Sequence, residues 1–214
     1  MLIRWFGECS FLIQDTLGHR IILNPYNDLL TDYFISLNPN LILLSNDKNT
    51  NIINSIKNSD IPVIYNINNN IDLEYTSIHC FNSYRDKFKG IKRGNNTIFC
   101  FTLDKFKICY LGYLGHILSN NLINSITDID ILFIPIGGHI SINGYEASIL
   151  IKKLSPKYII PMYYRTFNKF NYLDNCRLFL TSIGYNITVS NSVIDTDSIN
   201  NITPQIILLN ETLY

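Results

Sequence analysis

The stretch from Asp128 to Thr166, DIDILFIPIGGHISINGYEASILIKKLSPKYIIPMYYRT, constrains the fold more tightly than any other part of the chain. Ile131–Ile136 is a short apolar run of the kind that forms a buried strand. Gly137-Gly138 then supplies a tight strand-to-helix turn; two glycines are weak support for a phosphate cradle. From Asn143 to Leu154 the residues Ala147, Leu150, Ile151 and Leu154 recur at helical spacing, and Ser155-Pro156 stops the run. A second buried strand, Tyr158–Pro161, follows and leads into a polar-aromatic tip. Strand, turn, helix and strand in this order require a sheet with helical cover.

The rest of the chain is dominated by short strands. Leu2–Trp5, Ser10–Gln14, Arg20–Leu23, Leu41–Leu44, Pro62–Tyr65, Thr97–Leu103, Lys107–Leu111, Asn186–Val189 and Gln205–Leu209 are β-branched runs bounded by Gly, Asn, Asp or Pro. His79 alternates with Cys80 along a further strand-like segment. Asp15-Thr16-Leu17-Gly18 and Thr102–Lys105 read as hairpin turns. The predicted helices are Asn51–Asn58, Ser119–Ile126 with Ser119 as N-cap, Asn143–Leu154, and Leu173–Ile183 with Gly184 as its C′ residue. This order fits two mixed sheets packed together with helices outside. With 214 residues, 47% of them hydrophobic, and no linker-like stretch or short repeat, the expectation is one domain over residues 1–214.

Charge and cysteine usage narrow the function classes. The formal net charge is zero, so no basic excess points to nucleic acid. Cys9, Cys80, Cys100, Cys109 and Cys176 are dispersed and odd in number, which fits free thiols in a reducing compartment. The N-terminal run lacks a signal-peptide core, and no apolar run approaches the ~20 residues of a membrane span. A cytoplasmic protein without membrane partners is expected.

Several short runs carry a family resemblance. Phe6-Gly7-Glu8-Cys9-Ser10-Phe11-Leu12-Ile13, Asn24-Pro25, the strand Leu41–Leu44 with Ser45, Arg93-Gly94-Asn95-Asn96-Thr97, Leu111-Gly112-Tyr113-Leu114-Gly115-His116 and Pro161-Met162-Tyr163-Tyr164 stand in order. Together they resemble the metallo-β-lactamase superfamily, in particular the small bacterial branch of predicted metal-dependent hydrolases that includes the ascorbate-phosphate lactonases. The resemblance runs from Met1 to about Tyr185. It implies an α/β fold, a four-layer αββα sandwich with two mixed β-sheets flanked by helices. It also implies a zinc or manganese centre, and there the chain departs from the pattern. The family's metal-binding positions fall on Asn46, Lys48, Thr50, Asn51, Tyr113 and Tyr163, and on Asn82 or Ser83.

Such ions take imidazole, carboxylate or thiolate, and amides, hydroxyls and neutral phenols are poor replacements. A Lys48 ammonium at ~4 Å would repel a divalent ion by up to about 8 kcal/mol at an effective dielectric of 20. No residue is therefore assigned as a metal ligand and no cofactor is expected. The residues assigned to a vestigial pocket are Glu8, Asn46, Lys48, Thr50, Asn51, Tyr113, His116, His139 and Tyr163. Tyr110, Tyr113, Tyr163 and Tyr164 would make that pocket aromatic, either plugged or open to an apolar ligand. The expected function is binding without catalysis, the partner being a catalytic relative, a second copy of the chain or a small ligand. The alternative is a hydrolase with a relocated or metal-independent site built from His116, His139, Asp47 or Lys48.

Overall fold

The computed structural model describes residues 1–26, 31–46, 54, 56, 59–67, 69–166, 171–199 and 203–210. Among these, one sheet holds β1 (Leu2–Gly7), β2 (Ser10–Gln14), β3 (Arg20–Leu23), β4 (Leu41–Leu44), β5 (Val63–Tyr65) and β13 (Val193–Asp195), in the order β13-β1-β2-β3-β4-β5. The other holds β6 (Ile71–Leu73), β7 (Thr76–Tyr84), β8 (Asn95–Leu103), β9 (Phe106–Tyr110), β10 (Ile131–Pro135), β11 (Tyr158–Met162), β12 (Asn186–Ser190) and β14 (Gln205–Leu209), in the order β12-β14-β11-β10-β9-β8-β7-β6. Both sheets are mixed. β2–β3 and β7–β8–β9 pair antiparallel, whereas β3–β4–β5 and β9–β10–β11–β14–β12 run parallel. The parallel register of Ile131–Pro135 on Tyr158–Met162 is the strand–helix–strand unit expected from the sequence.

Side-chain alternation assigns the layers. Ile3, Trp5, Phe11, Ile13, Ile21, Leu23, Leu41 and Leu43 point between the sheets. The interleaved Phe6, Leu12, Ile22, Ile42 and Leu44 form a second cluster with Phe34 of helix α1 (Thr31–Ser36). Phe11 meets Phe133 of the opposite sheet edge to face, with centroids 4.8 Å apart. The remaining helices are α2 (Asn120–Ser125), α3 (Gly144–Leu154) and α4 (Arg177–Ile183). In α3 the predicted face, Ala147, Leu150, Ile151 and Leu154, is buried in the main core. Leu150, Ile151 and Leu154 each contribute roughly 1.5–3 kcal/mol by leaving water, and Ala147 less. The result is the four-layer αββα sandwich.

Capping follows local chemistry. Ser119 Oγ accepts from Leu122 N. Asn143 and Glu146 form a reciprocal capping box at the start of α3. Gly184 adopts φ 69° at the end of α4. One helix is shorter than expected. Leu173–Ile183 reads as helical, but the helix begins only at Arg177. Asp174 N–H donates instead to Gly137 O, and Asp174 O accepts from Arg165 N–H, so this backbone is committed to neighbouring loops. The strand β7 exceeds the His79–Cys80 hint because its outward positions are polar, which breaks up the apolar run. The predicted helix Asn51–Asn58 lies largely outside the described residues. No helix among the described residues is long and apolar enough to cross a membrane.

The β7–β8 loop is built around one carboxylate. Asp86 accepts four backbone N–H groups, from Phe88 (2.7 Å), Gly90 (3.0 Å), Lys92 (3.0 Å) and Arg93 (2.7 Å). Burial disfavours the ionised carboxyl, yet these four donors outweigh it and hold the group below the usual carboxylate range. The folded value lies below the unfolded one. The stabilisation is therefore present above the unfolded value and is lost as pH falls through the folded one. Amide resonances of Phe88–Arg93 should move on acidification below about pH 4 while those of β8 hold. Asp86→Asn should show the altered loop already at neutral pH. An acid-insensitive loop in the parent protein would contradict this account.

Candidate functional site

One end of the sandwich concentrates unusual backbone geometry. Glu8 (φ 46°) follows β1, Asn24 (φ 41°) follows β3, and Tyr163 (φ 53°) follows β11. His139 (φ 53°) and Gly112 (φ 58°) lie just beyond β10 and β9. Holding a non-glycine residue there costs of the order of 1–3 kcal/mol, and such strain gathers where strand ends form a site.

Below this rim lies a buried polar knot. The Asn24 Nδ2 group donates to Tyr110 Oη (2.7 Å) and Ser45 Oγ (3.1 Å), and Asn24 Oδ1 accepts from Ser45 N–H (2.7 Å). The Tyr110 hydroxyl donates to Cys9 O at 2.5 Å. Asn96, in β8 of the other sheet, performs the same service. Its Nδ2 donates to Ser83 Oγ (2.7 Å) and Leu111 O (3.0 Å), and its Oδ1 accepts from Tyr113 N–H (2.8 Å). Gly112 fits between them because a Cβ there would lie 2.3 Å from Ser45 Oγ and 2.7 Å from Asn96 Oδ1.

Above the knot sit the tyrosines. Tyr113 and Tyr163 are buried and pack edge to face with centroids 5.0 Å apart. Glu8 O accepts from Tyr163 N–H (3.0 Å) and from Trp5 Nε1 (3.2 Å), which locks the β1–β2 turn against the end of β11. The Tyr113 hydroxyl reaches Glu8 Oε2 at 3.5 Å, and the Arg85 guanidinium lies 4.8 Å from the Tyr113 ring centroid. Burial, reinforced by Cys9 and Glu8 nearby, pushes the Tyr113 phenol well above its ordinary value. Burial drives the Tyr163 phenol up as well. Cys9 is also raised by burial and then by Glu8, with Arg85 opposing, and its thiol donates to Gly112 O at 3.6 Å. These groups stay protonated at neutral pH, so Cys9 is no nucleophile here.

The structure sorts the residues assigned from sequence. Glu8, Tyr113 and Tyr163 come together. Asn46 is buried just past β4. Asp47, Lys48, Thr50 and Asn51 lie outside the described residues. His116 is held by backbone. Its Nε2 accepts from Tyr84 N–H (3.2 Å), so Nδ1 carries the proton and donates to Ile117 O (2.9 Å). Both ring nitrogens are thereby committed to backbone. His139 lines a separate cleft, largely exposed, with Nε2 3.7 Å from Asp174 Oδ1. His116 and His139 therefore form no acid/base pair. Asn96 and Ser45 stand in the short runs that carry the resemblance, but nothing local to them announces these roles, and Arg85 has no such signal at all. The intact Arg-Gly-x-Asn-Thr run was the signal that this corner is structured.

Among the described residues, the donors of this pocket do not suit a zinc or manganese ion. Among the described residues the pocket offers one carboxylate, a protonated thiol, two neutral phenols and amides. No group of three His, Cys, Asp or Glu side chains among the described residues could hold a metal.

Two mixed sheets between helices, with a site at one end of the strands, define a protein of the metallo-β-lactamase fold. Residues 2–163 match the family described as the beta-lactamase superfamily domain, and the chain belongs to it. A metal-dependent hydrolase from Pyrobaculum islandicum is 24% identical over 196 residues, covering 78% of this chain and 85% of that protein. A Listeria welshimeri metal-dependent hydrolase is 32% identical over 77 residues, 36% of this chain and 34% of its own length. A Thermotoga maritima structure described as a Zn-dependent hydrolase of the metallo-β-lactamase superfamily superposes with a TM-score of 0.74 at 20% identity. That match covers 97% of this chain and 98% of the other. The structure of YhfI from Bacillus subtilis, a metallo-β-lactamase fold protein, gives 0.66 at 8% identity over 100% of this chain and 98% of the other. At these identities the structural likeness speaks for the fold alone.

Proposed function

We propose that this protein is a metallo-β-lactamase-fold binding protein that works without the metal centre of its relatives. One observation carries the reading. The rings of Tyr113 and Tyr163 meet 5.0 Å apart where the family resemblance sets metal ligands, flanked by Glu8 and Arg85. Aromatic packing with a carboxylate and a guanidinium alongside is a self-sufficient filling for such a space. The partner is a small ligand.

A second reading, hydrolysis at a relocated metal-independent site, rests on His139. Its 3.7 Å approach to Asp174 is beyond hydrogen-bond length, and its imidazole is exposed to the cleft. Elemental analysis of the untagged protein after exposure to zinc, manganese and iron separates these readings from the family's own chemistry. The expected result is below ~0.1 ion per chain, against the near-stoichiometric loading of a true structural site. Phosphodiesterase, lactonase and esterase assays should be blank. A stoichiometric ion, or metal-dependent turnover that survives purification, would overturn the proposal. Metal-independent turnover abolished by His139→Gln would favour the second reading.

A further inference from the structure

We infer that Cys100 and Cys109 form a redox-active dithiol that reduces a hydroperoxide, with His79 as the base that activates Cys100 and a cross-strand disulfide as the product. The site shares no residue with the tyrosine pair or the polar knot and is independent of the binding-protein reading. Register places its three side chains in one row. His79 of β7 stands opposite Cys100 of β8, and Cys100 stands opposite Cys109 of β9. Directly paired residues point to the same face of a sheet. Tyr110 faces the other sheet, since its hydroxyl bonds Cys9 O, so Cys109 beside it points outward with Cys100 and His79. Facing residues of an antiparallel pair sit about 4.5–5.5 Å apart at Cα, within the roughly 4.4–6.8 Å that a disulfide spans. Joining these two sulfurs therefore asks for side-chain rotation and little movement of backbone.

A small cavity opens onto this row. It encloses ≈ 200 Å³ between the outer face of β7–β9 and the end of α2, and Phe81, Ile126 and Ile129 wall it together with His79, Cys100 and Cys109. A hydroperoxide of a few heavy atoms fits such a space, and another protein's thiol does not. The two sulfurs differ in their surroundings. Burial, then a hydrogen bond with Cys100, holds the Cys109 thiol well above its ordinary value, with Lys107 opposing. Cys109 is thus the resolving thiol, and Cys100, beside the exposed His79 imidazole, is the attacking one. Cys80 stands outside the row, because it alternates with His79 along β7 and is buried in the core.

His79 takes the Cys100 proton, and the thiolate attacks one peroxide oxygen. The O–O bond breaks, Cys100 becomes a sulfenic acid, and the leaving hydroxide recovers the proton from His79 as water. The Cys109 sulfur then attacks Cys100 Sγ. The S–O bond breaks, and the second hydroxide leaves as water with the Cys109 proton. Two thiols lose two electrons, and one peroxide gains them. An external thiol returns the pair to its reduced state by exchange.

The test exposes the full, reduced chain to hydrogen peroxide and follows intact mass and peptide maps. The expected product has lost two hydrogens and carries a Cys100–Cys109 cross-link that dithiothreitol reverses. Cys109→Ser should stop at a Cys100 sulfenic acid that dimedone captures, and Cys100→Ser should leave Cys109 reduced. His79→Gln should slow both peroxide oxidation and iodoacetamide alkylation of Cys100 by roughly tenfold or more, while urea unfolding stays unchanged. Cys176→Ser, at the half-buried thiol outside the cavity, should alter neither rate. A folded protein whose Cys100 and Cys109 stay reduced would overturn the inference. So would a cross-link through Cys80 or Cys176, oxidation that ends in sulfinic acid without a cross-link, or rates indifferent to His79→Gln.

Discussion

Replacing Gly112 by alanine is expected to remove about 3–5 kcal/mol of stability, from left-handed backbone strain, forced repacking and a disturbed buried hydrogen bond. The φ of 58° disfavours any side chain, and the new Cβ would press on Ser45 Oγ and Asn96 Oδ1. Neither atom can retreat freely. Ser45 Oγ accepts from Asn24, and Asn96 Oδ1 accepts the Tyr113 N–H. Gly184→Ala is the matched control, with φ 69° and nothing within 4 Å of the added methyl. It should cost only the backbone strain, roughly 1–2 kcal/mol. Urea unfolding of both variants checks the difference. Equal midpoints would mean that the knot beneath the site yields easily and does not position Tyr113. Against a total stability of about 5–15 kcal/mol, the larger loss would leave Gly112→Ala close to unfolding.

The parts of this protein that could be read from sequence are those encoded within a few residues. The strand–helix–strand unit at Asp128–Thr166, the capping serine at Ser119 and the stop at Gly184 depend on local periodicity and caps, and all are present in the structure. Leu173–Cys176 failed the same reading because a loop from another part of the chain claims its backbone. The site divides in the same way. Tyr113, Tyr163 and Glu8 were found through short motifs, whereas what holds them was not. Asn24 meets Tyr110 across 86 positions, and Arg85 reaches the Tyr113 ring from another strand end. His116 stands in a glycine-flanked run that the sequence reading set at the pocket; the hydrogen bond from Tyr84 N–H that commits its Nε2 to backbone is a long-range contact that no local pattern announces.

The polar knot and the tyrosine pair separate scaffold from chemistry. Asn24, Ser45, Asn96 and Gly112 hold the strand ends in their strained conformations without reference to an ion. The glycines and strand ends can therefore persist in a chain whose donor atoms have changed, since their duty is to backbone geometry. On the proposed reading, the charge once supplied by an ion is replaced by Arg85, which lies against Tyr113 and opens onto the neighbouring cleft.

Restoring family-type ligands at the two tyrosines should therefore damage the protein without giving it a metal. Tyr113→Asp deletes a buried ring, a loss of roughly 3–5 kcal/mol by analogy with other large-to-small core changes. It also sets a carboxyl near Glu8, whose Oε2 lies 3.5 Å from the present hydroxyl. Burial and the like charge should raise the new carboxyl above its unfolded value, outweighing the opposing Arg85 guanidinium as they do at Cys9. Its folded form is then favoured at low pH, and stability is lost as pH rises through the raised folded value. The variant should accordingly unfold at lower urea at pH 8 than at pH 5, a dependence that Tyr113→Phe should lack. Adding Tyr163→His supplies one imidazole, but Asn46 remains an amide and positions 48, 50 and 51 remain Lys, Thr and Asn. Zinc should leave the unfolding midpoint of the double variant where it was. A metal that bound the folded state at a hundred times its dissociation constant would instead add about 2.7 kcal/mol. Such a zinc-dependent rise would show two tyrosines to be all that separates this pocket from a metal centre, and the binding-protein reading would fall with it.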